Sequence, residues 1–390
     1  MRDDLNGDGG SELAIGCELT ADVKIETFNP MTQGLQSLLD CGPGNGETSF
    51  GTAIVVGDFN GDGFADLAVA GQTMSPPGDV TIVYGARTVA CPSPARIDAP
   101  SGASSFGAQL AGVGDLDGDG YDDLVVMSFI GSVPTVEVYF GAQLGLDRTN
   151  PVTIPFAMTP FTSSIVLVAG TGDIDGDGYL DAAFSMGSGG PSAVAIVSGD
   201  PTRQFPTSTT LTLPGATSFG EQIAILDIDG DGVAELFVSA VENSTSQIDS
   251  VFAYHFSGSG LMQAGQFMSS DHDNSFGNAG LFPISAGSAV ELAVADESKP
   301  VALIDASLQV TTLTSVADGT SGDDFGKSLG GGDLQGNGLT WLAVGAPEAA
   351  DRNGVVFVCP RSTADMSFTC TPLADPHPTS DDAFGQAISP

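Results

Sequence analysis

The chain has 390 residues, of which 41% are hydrophobic, so it can bury a large core and wholesale disorder is excluded. It carries 49 Asp and Glu against 10 Lys and Arg, which gives a net charge of −39. This acidity excludes a nucleic-acid partner, because phosphate binding needs basic side chains, and it disfavours an anionic membrane surface. No apolar run approaches the roughly 18 residues of a membrane span, so we expect no membrane insertion.

An acidic loop of the form D-x-(N/D)-G-D-G-x-x-(D/E) recurs along the chain, with oxygen-bearing side chains at positions 1, 3, 5 and 9. The five complete copies are Asp4, Asn6, Asp8 and Glu12; Asp58, Asn60, Asp62 and Asp66; Asp115, Asp117, Asp119 and Asp123; Asp173, Asp175, Asp177 and Asp181; and Asp227, Asp229, Asp231 and Glu235. Two further copies are eroded, near 283–291, where only Glu291 remains, and near 333–341, where Trp341 replaces the last acid. The starts lie 50 to 58 residues apart, which indicates a repeat architecture.

A Phe-Gly pair precedes most of these loops by eight or nine residues. The pairs are Phe50-Gly51, Phe106-Gly107, Phe219-Gly220, Phe276-Gly277 and Phe325-Gly326. The fourth unit has Phe161 without the glycine, the first loop has no pair before it, and Phe384-Gly385 has no loop after it. Since the two ends complement each other, we expect the C-terminal strand Ala383–Ser389 to join the N-terminal unit.

Each unit contains four strand-length runs bounded by Gly and Pro, with little helical periodicity. In the second unit the runs are 50–57, 66–70, 80–84 and 95–98, and the acidic loop separates the first two. Such runs predict an all-β fold, and four of them in about 56 residues are typical of a propeller blade. We therefore predict one domain over residues 1–390, a seven-bladed β-propeller with four antiparallel strands per blade and a ring closed by the C-terminal strand.

The oxygen-rich loops suit a hard cation such as Ca²⁺, which takes carboxylate and carbonyl oxygens. The pattern also begins an EF-hand, but an EF-hand needs Glu at position 12, and here that position is apolar: Ile15, Val69, Val126, Phe184 and Val238. Plain Asp-rich turns remain the alternative, although crowding three or four carboxylates without a cation is repulsive. We predict about five Ca²⁺ ions, bound mainly as structural parts of the fold by all twenty side chains of the complete copies.

Together these motifs resemble the FG-GAP repeats of the integrin α-subunit N-terminal propeller, as found also in free-standing bacterial proteins. The seventh unit is the most similar, with Phe325-Gly326 followed by 341–347 (WLAVGAP) and 354–358 (GVVFV). The resemblance implies calcium loops on the lower face, between strands one and two. It also implies ligand docking on the upper face, through the loops that join strands two and three and strands four and one. No integrin-type adhesion motif is visible, so we expect no integrin β partner.

Three functions are compatible with this resemblance. The first is an extracellular or cell-surface adhesion or protein-binding module that uses the upper-face loops: 72–78, 129–134, 187–191, 242–249, 297–300 and 347–353. The second is a glycan-binding propeller, although one Trp and five Tyr supply no aromatic site repeated in every unit. The third is an accessory propeller of a secreted hydrolase. We expect a monomer whose ligand is an unidentified protein or glycan, and the start Met1-Arg2-Asp3-Asp4 does not read as a secretion signal.

We expect no catalytic site in this chain. The three histidines, His255, His272 and His377, lie in different units without catalytic spacing. The stretch 326–330 (GKSLG) matches a nucleophile elbow, but it lies in a predicted strand instead of a strand–turn–helix.

The five cysteines indicate an oxidising compartment only weakly. Cys359 and Cys370 are placed to join strands three and four of the seventh unit, and Cys17 and Cys41 to form a similar staple in the first. Cys91 would then be unpaired. Buried free thiols are the alternative.

Overall fold

The structure is a computed structural model of the chain. It describes residues 4–17, 22–29, 34–41, 49–72, 78–87, 95–131, 133–154, 164–166, 171–187, 193–205, 207–242, 248–258, 260–268, 276–277, 280–286, 289–296, 301–312, 325–335, 337–347, 349, 354–362, 367–374 and 387–389.

The described residues form an all-β propeller of 29 strands. The strands of the first half are β1 (Leu13–Cys17), β2 (Asp22–Asn29), β3 (Gly34–Cys41), β4 (Ser49–Gly57), β5 (Asp66–Gln72), β6 (Asp79–Val83), β7 (Ala95–Asp98), β8 (Ala103–Gly114), β9 (Asp123–Ile130), β10 (Val133–Tyr139), β11 (Val152–Thr153), β12 (Ser164–Val166), β13 (Thr171–Gly172), β14 (Asp181–Gly187) and β15 (Ala193–Val197). Those of the second half are β16 (Thr207–Leu211), β17 (Ala216–Leu226), β18 (Glu235–Glu242), β19 (Ile248–Phe256), β20 (Leu261–Met268), β21 (Leu281–Ala286), β22 (Ala289–Val294), β23 (Ala302–Ile304), β24 (Val310–Thr312), β25 (Ser328–Gly332), β26 (Trp341–Ala346), β27 (Val355–Cys359), β28 (Thr371–Ala374) and β29 (Ala387–Ser389).

These strands pair into antiparallel sheets, which we number in chain order. The first sheet has the order β29-β1-β2-β3 and so contains both ends of the chain, which is the arrangement that their complementary motifs predict. The others are β4 to β7, β8 to β11, β12 to β16, β17 to β20, β21 to β24 and β25 to β28. The inner strands touch in the order β29, β4, β8, β13, β17, β21 and β25, and β25 touches β29 again, so the sheets close into a ring.

The prediction of a seven-bladed propeller is wrong, because the structure shows six four-stranded blades, and the remaining sheet, the fourth in chain order, has five strands. Its inner edge is divided between β12 and β13, which both pair with β14. The same unit is the one in which Phe161 is not followed by Gly. Among the described residues, the inner edge of this sheet therefore consists of two short strands.

The Phe-Gly pairs fasten each sheet to the sheet before it. The five described Phe side chains, from Phe50 to Phe325, are buried to 2% exposure or less. The glycine adopts a positive φ, +95° at Gly220, which L side chains rarely adopt. A Cβ atom on Gly220 would lie 2.7 Å from Cγ2 of Val194 and 2.9 Å from Cβ of Ser185. Only glycine permits both this backbone conformation and this close approach.

Buried apolar clusters fill the spaces between neighbouring sheets. One cluster combines Ala68 and Ile82 of the second sheet with Leu124 and Val126 of the third. Another joins Leu13 and Ile15 of the first sheet to the seventh sheet. Since each cluster draws on two sheets, no single sheet can bury its apolar faces alone.

The sulfur atoms of Cys359 and Cys370 form a disulfide between the end of β27 and the segment before β28, as predicted. The side chains of Cys17 and Cys41, and all of Cys91, lie outside the described residues. Among the residues that the structure describes, no helix has the length and apolarity needed to cross a membrane.

Candidate metal centres

The acidic loops all lie at one end of the sheets. In the second, third and fifth sheets the loop begins directly after the inner strand, and its ninth residue begins the next strand, as Asp66 begins β5 and Asp123 begins β9. In the first sheet the loop precedes β1 directly. Because the strands are antiparallel, every connection between a first and a second strand falls on the same face, which we call the lower face.

Four of the five complete loops gather three carboxylates around one point. In each group, one oxygen from every residue lies within 4.8 Å of the others. The groups are Asp4, Asp8 and Glu12; Asp115, Asp117 and Asp123; Asp173, Asp175 and Asp181; and Asp227, Asp229 and Glu235. The second loop does not form such a group among the described residues, and the predicted site residues Asp58, Asp62 and Asp66 are not brought together.

The loop curls because its first aspartate accepts hydrogen bonds from the backbone ahead of it. In the fifth loop, Asp227 accepts from the N–H of Asp231 at 3.0 Å and from the N–H of Gly232 at 2.9 Å. The same two acceptor contacts occur at Asp58, Asp115 and Asp173. This turn brings the side chains of positions 1 and 3 onto the same side of the loop.

Position 5 has a different role from the one predicted in three loops. Asp119, Asp177 and Asp231 each accept a hydrogen bond from the backbone N–H two residues later, and none belongs to a convergent group. In the first loop, by contrast, Asp8 belongs to the group. The two predicted amide ligands contact acids of their own loops: Asn6 donates to Glu12 at 2.5 Å, and Asn60 donates to Asp62 at 3.1 Å.

The ninth residue is the most deeply buried acid of each loop. Asp123 is 0% exposed and accepts hydrogen bonds from the backbone N–H of Leu116 at 3.0 Å and of Gly141 at 2.9 Å. Asp66 and Asp181 accept equivalent pairs of hydrogen bonds. The ninth carboxylate thus ties the start of its own loop to the end of the third strand.

Burial raises the pKa of these ninth carboxyl groups, because a desolvated carboxylate is disfavoured. It raises the pKa of Asp66 and Asp123 to about 8, although the N–H donors at Gly85 and Gly141 lower it. The pKa is raised to about 7 for Glu12 and Glu235 and to about 6 for Asp181, again mainly by burial. A cation beside these groups would offset the cost of their charge.

The donor set fits a divalent cation. The convergent atoms are all carboxylate oxygens, which are the ligands of hard cations, and a carboxylate has about four lone-pair sites. Asp227 can therefore accept its three backbone N–H groups, from Gly230, Asp231 and Gly232, and still face an ion. The four acidic clusters can each hold a divalent cation.

The two eroded copies differ from the complete loops in different ways. In the seventh sheet the turn survives, since Asp333 accepts from the N–H of Asn337 at 2.9 Å and of Gly338 at 2.6 Å, but Trp341 supplies no oxygen at position 9. In the sixth sheet, β21 and β22 pair up to Ala286 and Ala289, so the segment 283–291 lies almost entirely in strands.

Two arginines contact acids of the lower face, and the sequence analysis missed both. Arg203 contacts Asp117 and Asp119 of the third loop, and Arg361 contacts Glu291 of the sixth sheet. The sequence offered one indication of their importance, which is that basic side chains are rare, with only 10 Lys and Arg in the chain.

The family comparisons agree with this geometry. The model of the FG-GAP-like repeat matches residues 173–238, and the model of the FG-GAP repeat matches residues 50–83. Human integrin alpha-7 is 34% identical over 163 residues, and mouse integrin alpha-IIb is 31% identical over 183 residues. The chain is an integrin-like FG-GAP β-propeller.

The similarity to the integrins covers part of each protein. It spans 39% of the FG-GAP propeller and 13% of human integrin alpha-7, and 42% and 17% for the mouse protein. The matched part of the chain therefore spans less than a fifth of the length of these relatives.

A solved structure extends the similarity of the fold to nearly the whole FG-GAP propeller. A putative 6-phosphogluconolactonase from Bacteroides uniformis superposes with a TM-score of 0.58 over 97% of this chain and 98% of that one. At 12% identity this likeness shows the fold alone.

Proposed function

We propose that this FG-GAP propeller is an extracellular, calcium-stabilised module that binds a protein ligand through its upper face. The observation that carries the proposal is the convergence of three carboxylates in each of four lower-face loops, in a chain similar to integrin α subunits. On this proposal calcium stabilises the scaffold, and the loops at the other end of the sheets supply the binding surface.

Calcium suits these loops better than zinc does. Zinc prefers nitrogen and sulfur ligands, whereas every convergent atom here is a carboxylate oxygen. The loops are exposed on one side, and extracellular modules commonly bind calcium with Kd values of about 10⁻⁴ to 10⁻³ M. We propose about five ions, with the second loop completing its site when the ion binds.

The upper face is the end at which second strands connect to third strands. Most of the predicted ligand loops there lie outside the described residues, but the turn between β9 and β10 is described apart from residue 132. Two of its side chains are exposed and apolar, Ile130 at 44% and Val133 at 59%. Exposed apolar side chains on a rigid hairpin favour a protein ligand.

A glycan-binding function has less support. Sugar binding commonly uses exposed aromatic rings, but Trp341 is buried in β26, and Tyr139 and Tyr254 are buried in the core. Tyr84 directly follows β6, at the lower end of that strand, and is half-buried, and Tyr121 and Tyr179 lie in the acidic loops of the lower face. The Trp and Tyr residues therefore do not supply an aromatic surface on the upper face.

We also propose that the propeller acts as a monomer and has no catalytic activity of its own. An accessory role beside a secreted hydrolase is then the remaining alternative to an independent binding module. His255 is exposed on β19, whereas His272 and His377 lie outside the described residues. The elbow-like stretch 326–330 lies in a turn and in β25 instead of a strand–turn–helix.

Thermal unfolding and ligand capture test the two parts of the proposal. The unfolding midpoint should fall by many degrees when a chelator replaces millimolar calcium, and an unchanged midpoint would refute structural calcium. Binding should then be screened on immobilised extracellular proteins and on glycans in calcium. The double variant Ile130→Ser/Val133→Ser should lose protein binding without a change in midpoint. Binding to glycans only, or turnover of polysaccharide, would replace the protein-ligand proposal.

A further inference from the structure

Arg203 reaches from the fourth sheet into the acidic loop of the third. It lies in the connection that follows β15, on the lower face. Its Nε donates to Oδ2 of Asp117 at 2.5 Å, and its Nη2 donates to Oδ2 of Asp119 at 3.2 Å. A positively charged group of the chain is therefore bound to two of the four acids that the sequence assigns to a calcium ion.

The guanidinium is held in this place by its surroundings. Its Cζ atom lies 3.9 Å from the ring centroid of Phe140, a distance at which a cation is attracted to the ring. The backbone N–H of Arg203 donates to the carbonyl of Asp200 at 2.8 Å, and the N–H of Asp200 donates to the carbonyl of Leu116 at 3.1 Å. Leu116 is the second residue of the third loop, so the turn that carries the arginine is fastened to the loop itself.

The contact occupies a carboxylate that a calcium ion would need. Asp117 belongs to the convergent group of the third loop, and its side chain is 2% exposed. Its Oδ1 accepts the N–H of Asp119 at 3.1 Å, while Oδ2 accepts the arginine. The equivalent Asp229 of the fifth loop has no guanidinium contact among the described residues, although it belongs to a convergent group of the same kind.

The sixth sheet shows the same contact where the acidic loop has been lost. There Glu291 pairs with Ile284 of the first strand, as Asp66 pairs with Gly57 in the second sheet. Glu291 is therefore the equivalent of the ninth residue of an acidic loop. Nη2 of Arg361 donates to Oε2 of Glu291 at 2.8 Å. Arg361 is buried, lies 5.0 Å from the ring of Phe368, and follows β27 of the next sheet, as Arg203 follows β15.

We propose that Arg203 is a tethered cation that competes with calcium for the third loop, which makes this loop a weaker calcium site than the fourth and fifth loops. Arg361 has replaced the ion altogether in the sixth sheet. The proposal rests on the proposed calcium binding of the acidic loops. A calcium ion can use Asp117 fully only after the guanidinium has moved away, so the affinity of this loop is reduced by the cost of breaking that ion pair. At the fourth and fifth loops, no such ion pair is found among the described residues, so their calcium affinity is not reduced in this way.

Equilibrium dialysis with radioactive calcium tests the competition. Arg203→Gln retains most of the stem that packs on Phe140 and removes the charge, so one site should bind about tenfold to a hundredfold more tightly, as expected when a charged hydrogen bond no longer competes. The matched control is Arg148→Gln, which removes one charge from the equivalent connection of the third sheet, where Arg148 contacts the carbonyl of Arg96 and, among the described residues, no acidic loop. The control should leave the affinity of every site nearly unchanged.

A second variant assigns the site that changes. Adding Asp117→Asn to Arg203→Gln should remove the tightened site and leave the others. In chelator, Arg203→Gln should also lower the unfolding midpoint more than Arg148→Gln, and millimolar calcium should restore it. If the protein binds calcium but the affinity of the third loop is the same with and without Arg203→Gln, this inference is overturned and the proposed calcium function stands. The absence of calcium binding at any loop would overturn the proposed calcium function as well.

Discussion

The backbone N–H of Ala65 donates a hydrogen bond to the carbonyl oxygen of Asp4 at 3.0 Å, and this bond ties the second acidic loop directly to the first. The same contact, from the eighth residue of one loop to the first residue of the loop before it, recurs around the ring. It joins Asp122 to Asp58, Ala234 to Asp173 and Ser11 to Asp333. These bonds connect the loops of the seventh, first, second and third sheets in one series and join the fourth loop to the fifth, so we expect the stabilities of the loops within each group to be coupled.

Packing between loops gives the first prediction. Tyr121, the seventh residue of the third loop, lies against Gly61 of the second, where a Cβ atom would come within 2.6 Å of the ring. Gly61→Ala should therefore lower the free energy of unfolding by about 1–3 kcal/mol or more, measured by urea denaturation. Gly63→Ala is the matched control, because Gly63 also has a positive φ but no atom within 4 Å of the added carbon.

The ring contact is isolated by the difference between these two variants. Gly61→Ala/Tyr121→Ala should recover part of the loss that the contact causes. Equal destabilisation by Gly61→Ala and Gly63→Ala would show that the contact between the Tyr121 ring and residue 61 contributes nothing to stability.

The buried ninth acids predict an unusual pH dependence for the calcium-free protein. The pKa is about 8 for Asp66 and Asp123 and about 7 for Glu12 and Glu235, whereas unfolded carboxyl groups titrate near 4. The folded state therefore binds more protons than the unfolded state between about pH 4 and pH 8, and its stability should fall as the pH rises through that window.

Bound calcium should reverse this dependence, because the ion keeps the same carboxylates ionised and protons compete with it. Urea midpoints at pH 5, 6.5 and 8, with chelator and with saturating calcium, measure both dependences. A calcium-free protein that becomes more stable from pH 5 to pH 8 would contradict the assignment of these acids as buried and protonated.

The sequence predicts the repeated parts of this molecule well, because they are local. Loop spacing, Phe-Gly pairs and strand runs each depend on residues within one unit, and the Cys359–Cys370 pair lies 11 residues apart. Contacts between sheets leave no local pattern in the sequence. Arg203 and Asp117 are 86 residues apart, and nothing periodic marks the arginine.

The fourth and sixth sheets could not be predicted for a related reason. Each depends on how a unit tolerates the loss of a motif residue. The fourth sheet lacks the Phe-Gly glycine and divides its inner edge between β12 and β13. The sixth keeps only Glu291 of the loop acids and shortens its loop to a hairpin. A missing residue shows that a pattern ends, but not which structure replaces it.

The disulfide gives a prediction that does not depend on metal. Cys359 is buried in the cluster that joins the sixth and seventh sheets, and Cys370 packs against the same cluster. Reduction should lower the free energy of unfolding by about 2–4 kcal/mol in a chain-entropy estimate. Cys359→Ala/Cys370→Ala should reproduce the loss and be insensitive to reductant, whereas a reductant effect that persists in this variant would point to other cysteines.

Single-loop variants predict how calcium is distributed. Asp227→Asn removes one negative charge from the group formed with Asp229 and Glu235. Its amide oxygen can still accept the N–H groups of Gly230 and Asp231, which share Oδ1, but the N–H of Gly232 loses its acceptor Oδ2. The variant should reduce the calcium stoichiometry by one ion and lower the calcium-free midpoint only by the loss of that hydrogen bond. At free calcium 100 times Kd, one ion stabilises the fold by about 2.7 kcal/mol, so the variant should lose that additional amount in calcium.

Asp333→Asn in the seventh sheet is the matched control for this variant. Asp333 accepts the same two backbone N–H groups as Asp227, but Trp341 leaves its loop without an acid at position 9. The control should leave the stoichiometry and the calcium-dependent part of the stability unchanged. If Asp333→Asn removed an ion, or Asp227→Asn did not, then the acids at positions 3, 5 and 9, which the loop of the seventh sheet lacks, would not be what separates a calcium loop from a plain turn in this propeller.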